Sequence, residues 1–303
     1  MTGLVRVRVP AKVNLSLSVG PRRTDGYHDL VTVFHAVGLY DEVVVDAVTP
    51  GSGVTLSVSG PGSEALPRDD GNIAVRAALL AAQAAGRDPD LAIAIDKAIP
   101  IAGGMAGGSA DAAAVLTACA ALWAPALDAD TLHGLAAELG SDVPFLLRGG
   151  TMLGSGRGEI LTPVLTCGEF HWVVAVSDEG LSTPAVYAEL DRLRGDEKVP
   201  APAVADDLLF ALRTGDAQAL GLALRNDLQD AALSLRPSLA RVLEAGNELG
   251  ALGGLVSGSG PTCVFLGRSR EHALDIAVGL TTTGLVRTVR HAVGPVPGAQ
   301  VSR

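Results

Sequence analysis

Residues 100–109, PIAGGMAGGS, hold four glycines and no charge, and they run straight into the alanine-rich stretch ADAAAVLTACAAL. Glycine lets backbone N–H groups close around an anion that a side chain would hold off. A helix beginning near Ser109 would aim its unpaired amides and the positive end of its dipole at the same point. The chemistry this suits is main-chain binding of a phosphate chain, the alternative being a flexible turn before an ordinary helix. No lysine followed by serine or threonine comes after the glycines, and no strand precedes them with G-x-G-x-x-G spacing. The P-loop and the dinucleotide-binding turn are therefore excluded, and hydride transfer is disfavoured.

Of 23 cationic residues only Lys12, Lys97 and Lys198 are lysine. In a chain that otherwise chooses arginine, a retained lysine points to a place where a compact ammonium is needed, as against a phosphate, and not a planar fork. Asparagine (Asn14, Asn72, Asn226, Asn247) and tyrosine (Tyr27, Tyr40, Tyr187) are similarly scarce.

These residues need elements to hold them. LVRVRV and KVNLSLSV alternate with period two, DEVVVDAV and VTLSVSG are β-branched runs, and GPRRTDGYHDL between them is a polar loop. Helices are expected over residues 72–85, 109–122 and 129–139, and LAIAIDK is a strand leading to the glycine loop. FHWVVAVS is a strand, STPAVYAELDRL starts a helix at Thr-Pro, and GGLVSGSGPTCVFLG is strand, glycine turn, strand. With 48% hydrophobic residues, the chain is expected to form two domains with two cores, 1–163 and 164–303, with a frayed tail from about residue 293.

The glycine loop resembles the phosphate-binding motif of the GHMP kinase superfamily. PAKVNLSLSVGPRRTDGYHDL, GSDVPFLLRGG and GSGPTCVFL resemble the other motifs of one branch, which phosphorylates a cytidine diphosphate-linked sugar alcohol. The likeness runs in the family's order to about residue 292. It implies an α+β class, two-domain GHMP kinase fold: an N-terminal ATP-binding α+β domain and a C-terminal α/β-sandwich domain, with ATP and Mg2+ as cofactors. It implies Lys12 and Asp142 as the catalytic pair, Asp142 orienting the hydroxyl and accepting its proton late. ATP would be bound by Pro100, Ile101, Ala102, Gly103, Gly104, Met105, Ala106, Gly107, Gly108, Ser109 and Ala110, with Asn72 and Lys97 near the base. The substrate would be held by Asn14, Tyr27, His28 and Tyr187.

Other readings stay open: Asp142 as a helix cap before Pro144, Lys12 as a solvated strand lysine, Asn72 as an N-cap, Lys97 as a solvated strand end, and Tyr187 as a core residue. Asp111 would cap or favour the helix dipole, or assist a metal. Departures from the motif are Met105 for leucine, Ala106 for glycine and Ala110 for serine. Alanine at 106 implies an ordinary φ there, and the missing hydroxyl at 110 leaves Ser109 as the metal or phosphate hydroxyl. Competing functions are another GHMP small-molecule kinase, of homoserine or mevalonate type, and a catalytically silent nucleotide-binding protein.

The net charge of −10 disfavours nucleic acid and acidic membranes. Cys119, Cys167 and Cys263 lack metal spacing and read as buried small hydrophobes in a reducing compartment. Without an export signal or a membrane-length apolar run, a cytoplasmic monomer or homodimer is expected.

Overall fold

The computed structural model describes residues 3–101, 103–177 and 180–302. The two alternating stretches at the start join into one strand, β1 (Leu4–Arg22), which pairs antiparallel with β2 (His28–Ala47) across the polar loop between them. Its register shifts between Pro10 and Ala11 and between Asn14 and Ser16, bracketing the segment that carries Lys12 and Asn14. These two stand two residues apart in a strand, so they leave it on the same face.

The first half continues through β3 (Val54–Ser59), α1 (Ile73–Ala85), β4 (Leu91–Asp96), α2 (Gly107–Leu122), α3 (Ala129–Leu139), α4 (Val143–Arg148), β5 (Thr151–Ser155) and β6 (Ile160–Pro163). The second half holds β7 (Phe170–Val176), α5 (Thr183–Arg194), α6 (Asp206–Thr214), α7 (Ala217–Ala223), β8 (Arg225–Asn226), α8 (Gln229–Leu235), α9 (Ser238–Glu248), β9 (Gly253–Val256), β10 (Cys263–Gly267), α10 (Arg270–Thr282), β11 (Thr288–Gly294) and β12 (Gln300–Ser302). One sheet has the order β12-β1-β2-β4-β3, with β5 and β6 continuing from β2 and β8 beside β1. The other has the order β11-β7-β10-β9.

α2 is the central helix. Ala110, Ala112, Ala113, Ala114, Leu116, Ala118 and Cys119 are all buried, so the helix has no solvent stripe and lies against β1, β2 and α1 at once. Alanine makes that close approach possible and also favours the helix. α1 starts at an Asn72 cap and stops at Gly86, whose φ of 62° only glycine adopts readily.

Three expectations are corrected. The tail from residue 293 is not frayed: Gly298 and Ala299 donate to Arg148 and Leu146 carbonyls, and β12 then pairs with β1 in the first sheet. The cores do not separate at residue 163, since Trp172, Val174 and Leu208 share a core with Val13 and Ala113, while Leu17 and Val19 join that of Val173 and Phe265. Cys167 is exposed, whereas Cys119 and Cys263 are buried. Among the described residues, no helix is long and apolar enough to cross a membrane.

Candidate active site

Between the halves lies a cleft of about 750 Å³, lined in part by Pro100, Gly103, Gly104, Ala106, Gly107, Gly108 and Ser109. Gly104 has φ +72°, and a Cβ there would sit 2.3 Å from the Ser257 carbonyl oxygen, because the turn between β9 and β10 packs beneath the loop. Met105 points away into the core, Ala110 is buried in α2, and neither they nor Ile101 line the cleft. Ala102 lies outside the described residues.

Ala106 departs from expectation. It is left-handed (φ 59°, ψ 36°), at a cost of roughly 1–2 kcal/mol for a residue with a Cβ. Its neighbours hold it there: Met105 O accepts from Lys12 N at 3.4 Å, and Ala106 O accepts from Ala110 N at 2.8 Å. The reversal starts α2 at Gly107, two residues before the expected Ser109. The amides of Gly107, Gly108 and Ser109 thus fall in the first turn, where no intrahelical acceptor exists. All three residues line the cleft, which suits an anion.

Beside the loop, Lys12 is 5% exposed and Nζ donates to Asn14 Oδ1 at 2.6 Å, with Asp142 Oδ2 at 4.0 Å. The orientation of Asn14 follows from a proton count. Thr32 spends its hydroxyl proton on the Ser16 carbonyl at 2.7 Å, so it can only accept from Asn14 Nδ2 at 2.8 Å, which leaves Oδ1 for the lysine. Burial pulls the Lys12 ammonium below its ordinary value, and Asp142 works against that. Asp142 occupies the N-cap position of α4 next to Pro144, yet its side chain makes no capping bond and keeps about a third of its surface in the cleft. The capping alternative therefore does not account for it. Gly258 closes this corner: a Cβ there would stand 3.1 Å from Asn14 Oδ1 and 3.4 Å from Lys12 Nζ.

A second cluster lines the same cleft. His28 and Tyr187 have ring centroids 5.3 Å apart, and His28 Nε2 is 2.8 Å from Asp191 Oδ1. Burial, with Asp142 adding to it, pushes the Tyr187 hydroxyl up to about 12. Tyr27 is 55% exposed at the rim, with the Arg157 guanidinium 4.6 Å from its ring centre. Thr183 and Ser259 bond each other at 2.8 Å across the gap between α5 and the glycine turn. Sequence reasoning missed Asp191, Arg157, Thr32 and Thr183. Asp191 had a signal, standing one helical turn after Tyr187; Thr32 and Arg157 become visible only once β2 and the β5–β6 turn are placed.

Two expected nucleotide residues do not line the cleft. Asn72 is a buried N-cap: Oδ1 accepts from Ala74 N at 2.9 Å and Nδ2 donates to Pro67 O at 2.9 Å. Lys97 is neither solvated nor at the cleft surface but lies under the loop, 2.8 Å from Asp111 Oδ2 and 2.5 Å from Asp41 Oδ2. Asp111 is thus a buried ion-pair partner and not a helix cap; burial, opposed by Lys97, pushes it up to about 8. Among the described residues, no cluster of three His, Cys, Asp or Glu side chains could hold a metal by itself.

Residues 72–150 match the sequence family model described as "GHMP kinases N terminal domain", and residues 208–284 match "GHMP kinases C terminal". The chain is 57% identical over 302 residues to a protein of Mycolicibacterium smegmatis named 4-diphosphocytidyl-2-C-methyl-D-erythritol kinase, covering 99% of this chain and 93% of the relative. It is 56% identical over 300 residues to a protein of that name from Mycobacterium tuberculosis, with the same coverage. The crystal structure of a 4-(cytidine 5'-diphospho)-2C-methyl-D-erythritol kinase superposes with a TM-score of 0.77 at 35% identity, covering 95% of this chain and 98% of the other. A homoserine kinase from Cytophaga hutchinsonii superposes equally well, with a TM-score of 0.77, at only 21% identity over 100% of this chain and 98% of the other, a likeness of fold alone.

Proposed function

The chain belongs to the GHMP kinase family, and we propose that it transfers the terminal phosphoryl group of ATP to the 2-hydroxyl of 4-diphosphocytidyl-2-C-methyl-D-erythritol, as a cytosolic enzyme of non-mevalonate isoprenoid precursor synthesis. The observation that carries this reading is the meeting, in one cleft, of the glycine-loop amides, the Lys12–Asp142 pair and the His28–Tyr187 pair. The full-length likeness to kinases bearing that substrate's name supports it.

The fit to a nucleotide is a matter of room and donors. Gly104 lets the loop settle onto the Ser257 carbonyl, Gly258 leaves the Lys12–Asn14 corner clear of a Cβ, and the three residues with first-turn amides, Gly107, Gly108 and Ser109, line the cleft. When bound, ATP supplies the phosphoryl group, and Mg2+ carried on its phosphates offsets their charge. Ser109 offers a hydroxyl to either. Among the described residues no cluster of three His, Cys, Asp or Glu side chains could hold the metal alone, so this donor set would leave it to be carried by the nucleotide's phosphates.

The chain's own residues then have distinct tasks. Asn14, fixed by Thr32, keeps the Lys12 ammonium at the seam between loop and substrate, where a positive charge stabilises the transferred group. Asp142, accessible from the cleft, aligns the acceptor hydroxyl and receives its proton as the new P–O bond forms. His28 and Tyr187 grip the pyrimidine, Asp191 anchors the His28 ring, and Tyr27 covers the base from the rim. In-line transfer needs no covalent enzyme intermediate.

A coupled ADP-release assay with the cytidyl substrate, homoserine and mevalonate as separate acceptors tests this. Release with the cytidyl substrate alone is expected; release only with the other two overturns the substrate assignment.

A further inference from the structure

We propose that Lys97 is a positioning residue for nucleotide binding: with Asp41 and Asp111 it aims the Gly108 amide at the phosphates without touching them. This rests on the proposed function, since it assumes that ATP occupies the loop.

Lys97 follows β4 and donates from one ammonium to three groups on two elements: Asp41 of β2, and in α2 both Asp111 at 2.8 Å and the Gly107 carbonyl at 3.1 Å. Its side chain is 2% exposed, and those of Asp41 and Asp111 are 0% and 4% exposed. The other oxygen of Asp41 accepts from the amides of Ala98 and Ile99, at 2.7 and 2.8 Å. The cluster therefore grips the chain where it enters the glycine loop and again where it leaves, while residues 100–106 span the gap.

The direction of one bond gives this grip a purpose. In a trans peptide the carbonyl and the following N–H point opposite ways. With Gly107 O turned down onto Lys97, the N–H of Gly108 is turned up, and Gly108 lines the cleft. That amide lies in the first turn of α2 and has no helical acceptor, so it is free for an anion. Glycine at 107 leaves room for the tether, since a Cβ there would sit a tight 3.3 Å from Lys97 Nζ and 3.2 Å from Ile99 Cγ2. Three oxygens on a single nitrogen suit the three donors of an ammonium and not a planar guanidinium, which explains a lysine in an arginine-rich chain.

The test compares wild type with K97M/D111N, which removes the tether together with one of its two charge partners, and with K97Q/D111N, which keeps a donor near Gly107. ATP affinity is read by calorimetry, KM for each substrate by ADP release, and folding by thermal melting. The methionine variant is expected to bind ATP about tenfold or more weakly, as for a lost bond to a charged group, with KM for the cytidyl substrate within about twofold and the glutamine variant recovering part of the loss. A folded methionine variant with wild-type ATP affinity overturns the inference, as does an equal rise in both KM values. NMR on the wild-type chain gives a check independent of any variant: the Gly108 amide resonance should shift on adding a non-hydrolysable ATP analogue, and a stationary resonance while ATP binds overturns the inference alone. A wild-type chain that fails to bind ATP overturns the proposed function and this inference with it.

Discussion

Lys12 Nζ and Asp142 Oδ2 stand 4.0 Å apart in the cleft, although one is buried in the middle of β1 and the other precedes α4. Asp142→Asn and Lys12→Met should each lower kcat by about 100-fold or more with an unchanged melting temperature, since each removes a group acting at the reacting centre. Asn14→Leu, which takes away the acceptor that fixes Lys12, should cost less than either. Near-normal turnover in the aspartate or lysine variant would remove that residue from the chemistry.

The His28–Tyr187 pair should govern the acceptor and not ATP. Tyr187→Ala is expected to raise KM for the cytidyl substrate by about 10- to 100-fold, the range for losing one stacked base partner, with KM for ATP moving by no more than about twofold. A parallel rise in both would place Tyr187 elsewhere in the mechanism.

Ala106 is the one non-glycine residue with positive φ among the described residues. Ala106→Gly relieves the crowding of its Cβ and should stabilise the protein by about 1 kcal/mol, raising the melting temperature by about 2–4 °C. Ala106→Val should do the reverse by more, and a lower melting temperature for the glycine variant would contradict the left-handed assignment.

Burial holds His35, a β2 residue set edge-on to the Phe170 and Trp172 rings, near a pKa of about 3 against an ordinary 6.5. Since the folded value is the lower one, the unfolded chain takes up protons first. Stability should therefore fall as pH drops from about 6.5 towards 3, by roughly 1.4 kcal/mol per pH unit. Asp111, pushed the other way, should add a loss of stability as pH rises from 3.8 through about 8. Urea melts across pH should lose the acid slope in His35→Gln and the alkaline slope in Asp111→Asn; slopes that survive in both variants would assign them to other groups.

Removing residues 296–303 deletes β12 and the bonds from Gly298 and Ala299 to α4. The strand carrying Lys12 and the helix following Asp142 both lose a neighbour, so melting temperature and turnover should fall together. A truncated enzyme with wild-type values of both would mean that this return strand is dispensable.

Much of the fold was legible because its signals are local. Period-two alternation marked β1, an Asn72 cap and a Gly86 stop bounded α1, and clustered glycines before an alanine run marked the anion loop. Each of these rests on backbone preferences that neighbouring residues set. The sequence alone also named Lys12 and Lys97 as the lysines to follow. Tertiary structure decided which of them reaches the cleft: a strand face opens Lys12 onto it, while Asp41 and Asp111 draw Lys97 beneath the loop, because a buried ammonium must lie against carboxylates. It also decided the φ of Ala106, the pairing of the tail with β1, and the company of Asp191 and Arg157. These follow from contacts between segments far apart in the chain, whose combined packing outweighs what any single stretch prefers on its own.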